Sequence, residues 1–186
     1  MLKFNKSMIS HKKELLIDDN HPFFDTEGMY YKEFPSIYNQ IRAFALFCIQ
    51  RAPDTFKEVN LLEQQFSEIL KNGIKHGNHC DPHKKVKVWY DFDDKVRFIV
   101  EDEGDGFKDI EIWNDFYRKR NDCFATQDFE EMMKYVAWKT EKSDDTDGGN
   151  SLFAAVEFWN GGMIYNQKRN KVVVVRVFPE YPDLKD

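Results

Sequence analysis

No stretch of the sequence approaches the roughly 20 consecutive apolar residues of a membrane-spanning helix, so no membrane-crossing segment is expected. The opening run Met1-Leu2-Lys3-Phe4-Asn5-Lys6-Ser7 lacks the apolar core of a secretory signal. Cysteine is scarce. Cys48, Cys80 and Cys123 are widely spaced and odd in number, which argues against a disulfide framework and fits a reducing cytoplasm. His76, His79 and His83 surround Cys80, but the order His-x-x-His-Cys-x-x-His lacks the paired ligand spacing of a zinc site. An excess of positive charge is also missing. The formal net charge is −6, which argues against direct nucleic-acid binding through a broad cationic face.

What is present suits one globular domain. The chain has 186 residues, 41% of them hydrophobic and 32% charged, enough for a real core. Its 17 Phe predict an aromatic-rich interior and some exposed aromatic surface. No internal repeat or linker is apparent.

Residues 1–27 are poorly periodic and are expected to form an N-terminal extension, with a loop at Asp18-Asp19-Asn20-His21-Pro22. A first strand is expected at Gly28 to Phe34, followed by a helix capped by Ser36 that carries Ile37, Ile41, Phe44, Ala45 and Cys48 inward. Thr55-Phe56-Lys57-Glu58 has the form of a capping box and predicts a second helix running to about Gly77. Lys84 to Tyr90 and Lys95 to Glu101 alternate in polarity and predict a hairpin turning at Asp93-Asp94. Residues 108–147 show irregular helical pattern and a polar run, Glu141 to Asp147, and are read as a long lid-like excursion. A third helix opens at Gly148-Gly149-Asn150-Ser151. A last hairpin follows, whose continuous run Val172 to Val175 predicts a strand covered on both faces. Residues 180–186 form a tail.

Within the second helix, Glu68, Asn72 and Lys75 stand at i, i+4 and i+7 and would share one face, opposite Leu62, Phe66, Ile69, Leu70 and Ile74. A carboxylate, an amide and a cation in one stripe can serve a metal-bound polyphosphate, as proton acceptor, metal ligand and phosphate partner. Gly73 in the helix interior implies close approach by a strand or a ligand. The loop Asp102-Glu103-Gly104-Asp105-Gly106-Phe107 directly follows a strand and lets backbone pass close to a ligand. The glycine turn before Ser151 feeds a helix N-terminus, where free N–H groups and the helix dipole favour an anion.

These three boxes, in this order and spacing, resemble the GHKL superfamily of ATP-binding domains (the Bergerat fold), shared by gyrase, histidine kinases and MutL. The run Phe-Ser-Glu-Ile-Leu-Lys-Asn-Gly-Ile-Lys-His-Gly-Asn from Phe66 to Asn78 is most similar to the anti-sigma-factor serine/threonine kinases. The resemblance implies an α+β fold for residues 28–179: a two-layer α/β sandwich with a mixed, mostly antiparallel sheet covered on one face by helices. It implies ATP and Mg²⁺ as cofactors, Glu68 as general base and Asn72 as the metal-ligating amide. Lys75 would stand near the phosphates, and His76, at the helix end, would cap the helix or line the pocket edge. Asp102 would accept from the adenine amino group, with Gly104, Gly106 and Phe107 passing beside the base. Gly148, Gly149, Ser151 and Leu152 would form the phosphate-side wall. The implied partners are a sigma factor and a STAS-domain anti-anti-sigma protein, with a second copy of the chain as a possible homodimer. Three departures bear on turnover. Gly73 replaces the usual alanine, Ser151 replaces the last glycine of its box, and the lid is long. Arg118, Lys119, Arg120 and Lys139 are candidates for the lid cation. The alternatives are a degenerate binding module without turnover and a histidine-kinase-like catalytic domain, for which His11 would be the acceptor.

Overall fold

A computed structural model of the chain describes residues 13–53, 59–140 and 149–177. In chain order the elements are β1 (Leu15–Ile17), β2 (Tyr30–Pro35), α1 (Ile41–Ile49), α2 (Val59–Lys71), β3 (Lys85–Phe92), β4 (Lys95–Glu101), α3 (Ile110–Thr126), α4 (Phe129–Met132), α5 (Ser151–Phe158), β5 (Gly162–Tyr165) and β6 (Lys171–Val177). The strands form one six-stranded sheet in the order β1-β5-β6-β4-β3-β2. Only the β1–β5 pair is parallel. The protein is thus an α+β, two-layer structure with a mixed, mostly antiparallel sheet.

Period-two alternation decides which side chains meet the helices. Val96, Phe98 and Val100 of β4, with Val172 and Val174 of β6, point into the main core. There Phe66 of α2 stacks on Phe98 with ring centroids 3.8 Å apart. Ile99, Ile164, Val173 and Val175 point to the opposite face. That face is not left to solvent. Phe23, Phe24 and Met29 pack across it, which explains why Val172 to Val175 are all buried.

The segment expected as an N-terminal extension therefore contributes structure over its described part. Ile17 is in register with Tyr165 in the sheet, and the next residue, Asp18, donates its backbone N–H to the Tyr165 carbonyl at 2.9 Å. Asn114 of α3 clamps Leu15 from both sides, its Oδ1 accepting from the Leu15 N–H and its Nδ2 donating to the Leu15 carbonyl, each at 2.9 Å. A three-residue strand is too short to announce itself by alternation.

Two further expectations are corrected. Ser36 does not cap a helix. A short 3₁₀ turn over Tyr38–Gln40 precedes α1, and the buried Ser36 hydroxyl accepts from Asn78 Nδ2 at 2.8 Å instead. The excursion after Phe107 begins with a well-packed helix of 17 residues, α3, which buries Ile110, Trp113 and Tyr117. Their i, i+3, i+7 spacing is a helical stripe that anchors α3 to the core. The capping box at residues 55–58 and the polar run at residues 141–147 lie outside the described residues.

Candidate functional site

At the C-terminal end of α2 the helix changes pitch. Residues Asn72–Gly77 form a π-helical turn, in which Asn78 donates its N–H to the Gly73 carbonyl at 2.8 Å. Such wide turns inside helices recur at functional sites. The turn packs closely against the loop after β4. A Cβ on Gly77 would lie 2.3 Å from Asp102 Cγ, and one on Gly104 would lie 2.3 Å from the Gly77 carbonyl oxygen. The helix end and the loop after β4 touch backbone to backbone, and only glycine permits it. Gly73 is less constrained. Its Cβ would meet Val100 Cγ1 at 3.3 Å, so a strand side chain is what approaches it.

Two asparagines hold this junction. The buried Asn78 donates to the Lys85 carbonyl at 2.9 Å and accepts from the Glu103 N–H at 2.7 Å, tying the π turn to the start of β3 and to the Asp102 loop. Asn170 donates to the Asp102 carbonyl at 2.6 Å, while Asp102 donates its own N–H to the Asn170 carbonyl at 2.9 Å. Asp102 is thereby fixed at both its amide groups. Its carboxylate Oδ1 accepts from the Gly104 N–H at 2.8 Å. Burial pushes the Asp102 carboxyl up to about 6, against the lowering effect of the Gly104 hydrogen bond and the nearby Lys168. Tyr165, buried beside it, has its phenol pushed up by burial and by the Asp102 carboxylate.

Asp102 lines a cavity of about 200 Å³ between α2, the sheet and the segment from Phe107 to Thr140. Its walls are apolar at Ile69, Val100, Leu152 and Val172. Asn72, His76, Gly106, Phe107, Gly149 and Ser151 also line it, so the structure gathers these with Asp102 and Leu152 around one space. Gly149 is left-handed, with φ +70°, and its carbonyl accepts from the Trp138 N–H at 2.8 Å, which ties Trp138 to the residues just before α5. Glu68, Lys75 and Gly104 do not line this cavity, and Gly148 lies outside the described residues. Glu68 instead faces an adjoining open groove of about 770 Å³ between α1 and α2, beside Arg42, Glu63 and Ser67. The i, i+4, i+7 stripe assumed a regular α-helix. The π turn begins at Asn72 and rotates Lys75 off that line.

Several lining residues carried no local signal. Lys71, Lys108 and Arg169 place cations at the cavity, and Trp138, Thr140, Tyr165 and Asn170 complete its walls. Arg169 sits in a hairpin turn at φ +64°. Its carbonyl accepts from the Phe107 N–H at 3.0 Å and its Nη1 donates to the Lys108 carbonyl at 3.0 Å. By contrast, none of the four expected lid cations lines the cavity. Arg118 pairs with Glu14 at 3.3 Å and Lys119 with Asp115 at 2.7 Å. Arg120 donates to the Tyr135 carbonyl at 2.6 Å and lies 4.4 Å over the Phe153 ring.

Comparison with known proteins gives one partial likeness. Over 70 residues, 37% of this chain, the sequence is 39% identical to an anti-sigma F factor of Oceanobacillus iheyensis, and the match spans 47% of that relative. The chain thus covers about half the length of the curated relative it matches. No family model matches. Among the described residues, no helix is long and apolar enough to cross a membrane.

Proposed function

We propose that the chain is an ATP-binding regulatory protein of the anti-sigma-factor type, a GHKL domain that binds Mg-ATP in the cavity at Asp102 and holds a sigma factor. In this reading it also phosphorylates a serine or threonine of a STAS-type anti-anti-sigma partner. One observation carries the nucleotide reading: a half-buried carboxylate, its Oδ1 held by the Gly104 N–H, at the wall of a largely apolar cavity. An ionised carboxylate only accepts hydrogen bonds, so it selects the amino group of adenine over the carbonyl of guanine. Ile69, Val100 and Val172 suit the faces of a planar base.

The remaining lining residues fit the rest of the ligand. Asn72 is exposed at the cavity and offers an amide oxygen to Mg²⁺, which needs few protein ligands because phosphates and water supply the others. Lys71, Lys108 and the N-terminus of α5 at Ser151 offer positive potential to phosphates. ATP supplies the transferable phosphoryl group. Catalysis of its transfer rests mainly on positioning and charge neutralisation. Glu68 precedes Asn72 by one helical turn and faces the groove, so the acceptor hydroxyl would enter from the groove side and give its proton to Glu68. The partial likeness to an anti-sigma F factor supports the regulatory role.

A second reading, a binding module without turnover, is favoured by Glu68 lying outside the cavity and by Ser151 standing where the phosphates would pass. Exposed Tyr30, Tyr31, Tyr38 and Phe47 would then serve partner binding. The two separate experimentally. The protein is titrated with Mg-ATP and Mg-GTP, then incubated with Mg-ATP and candidate STAS partners, and the partner is weighed by mass spectrometry. Preference for ATP with an added phosphate supports the kinase. Preference for ATP with no phosphate on any partner supports the module. Equal binding of both nucleotides, or of neither, overturns the adenine reading.

A further inference from the structure

Lys71 lines both the Asp102 cavity and the groove that holds Glu68, and it is the residue the two spaces share. It is the last residue of α2 before the turn widens at Asn72. Its Nζ lies 3.4 Å from Glu68 Oε2, with the two side chains 18% and 32% exposed. From these facts we propose that Lys71 is a positioning residue that passes between two anions. It holds the Glu68 carboxylate in the free protein and turns to a nucleotide phosphate when the cavity is filled. The inference rests on the nucleotide reading above and adds to it a coupling between nucleotide entry and the release of the base.

The exchange follows from the strengths of the two contacts. At 3.4 Å and partly exposed, the Glu68 pair is of the weak kind, since solvent screens it and two long side chains must be held in place. A phosphate chain carries several negative charges and forms charge-assisted hydrogen bonds, which are stronger. The ammonium rides on a flexible four-carbon stem, so it can turn from groove to cavity without moving the helix. Lys75, the cation at the expected stripe position, lines neither space. Once Lys71 leaves, the Glu68 carboxylate loses its cationic neighbour and is left to meet an acceptor hydroxyl. A base held by Lys71 until nucleotide arrives would ignore hydroxyl groups in the free protein.

A double-mutant cycle tests this. Wild type, Lys71→Met, Glu68→Gln and the double variant are titrated with Mg-ATP and with adenosine, adenosine binding serving as the check that each variant is folded. Lys71→Met is expected to weaken Mg-ATP binding by about tenfold, the scale of one lost charge-assisted hydrogen bond, and to leave adenosine unchanged. Lys71→Arg should keep most of the affinity. Glu68→Gln frees Lys71 from its carboxylate and should tighten Mg-ATP by about threefold in the wild-type background, but not beside Lys71→Met. Equal tightening in both backgrounds would mean simple repulsion between Glu68 and phosphate, and would overturn the exchange alone. So would an unchanged ratio of Mg-ATP to adenosine affinity in Lys71→Met. Failure of the wild-type protein to bind either ligand would overturn the nucleotide reading and the exchange with it.

Discussion

Asp102 should make nucleotide affinity and protein stability respond to pH in opposite ways. In the free protein its carboxyl is raised by burial from the ordinary 3.8 to about 6. Keeping it ionised at neutral pH therefore costs the free protein something on the order of 2 kcal/mol, after allowance for its partial exposure. Because the folded value lies above the unfolded one, the stabilisation from this group is complete below 3.8 and is lost as pH rises through about 6. The adenine amino group needs the ionised form as acceptor. Mg-ATP affinity should be constant above neutrality and fall by about tenfold per pH unit below pH 6 if only the ionised form binds. Asp102→Asn keeps an oxygen for the Gly104 N–H and removes the charge. It should flatten the pH dependence, lower Mg-ATP affinity at pH 7.5, and raise stability at that pH by up to about 2 kcal/mol. The assays are Mg-ATP titrations and urea unfolding from pH 5 to 8. Titration of the nucleotide's own phosphates is common to both proteins and cancels in the comparison. Affinity that is flat between pH 5 and 7.5 in the wild type, or an Asp102→Asn protein less stable at pH 7.5, would refute the assignment of Asp102 as a half-buried, ionised acceptor.

Gly77→Ala should displace Asp102, because the new Cβ would stand 2.3 Å from its Cγ. We expect a loss of about 1–3 kcal/mol in urea unfolding and a fall in Mg-ATP affinity of about tenfold or more. Gly73→Ala, whose nearest contact is 3.3 Å, should do much less in both assays. Asn114→Ala removes both hydrogen bonds to the Leu15 backbone and should cost about 1–2 kcal/mol, with faster hydrogen exchange at the Leu15 amide. Unchanged exchange there would show that β1 holds without α3.

The parts legible in the sequence were those set by local periodicity or by residue type. Alternation through Val96, Phe98 and Val100 announced β4, and the unbroken run Val172 to Val175 announced a strand buried on both sides. Asp102 and Gly106 stood out not alone, since Asp and Gly are common in turns, but through their order and spacing with the helix box before them and the glycine turn after them. Two kinds of feature were hidden. Asn78 and Asn170 act through partners far along the chain, Glu103 and Ser36 for one, Asp102 for the other, and no local pattern marks such pairs. The pitch of the helix end was hidden too. Gly73 and Gly77 were visible, but the wide pitch of the turn and the close approach of Gly77 to Asp102 are not marked by any local pattern.

The change of pitch explains why an aligned stripe divides between two spaces. A regular α-helix through Gly77 would keep Glu68, Asn72 and Lys75 on one line. The π turn starts at Asn72, so Asn72 stays with the cavity while Glu68, still on regular helix, remains with the groove. Lys71, at the junction, is left to span the two. Local periodicity ranked Lys75 as the cation that mattered because it counts residues at a fixed pitch. The actual pitch changes at Asn72, where the turn meets the Asp102 loop from the far side of a β-hairpin. That change leaves Lys71, rather than Lys75, lining both spaces.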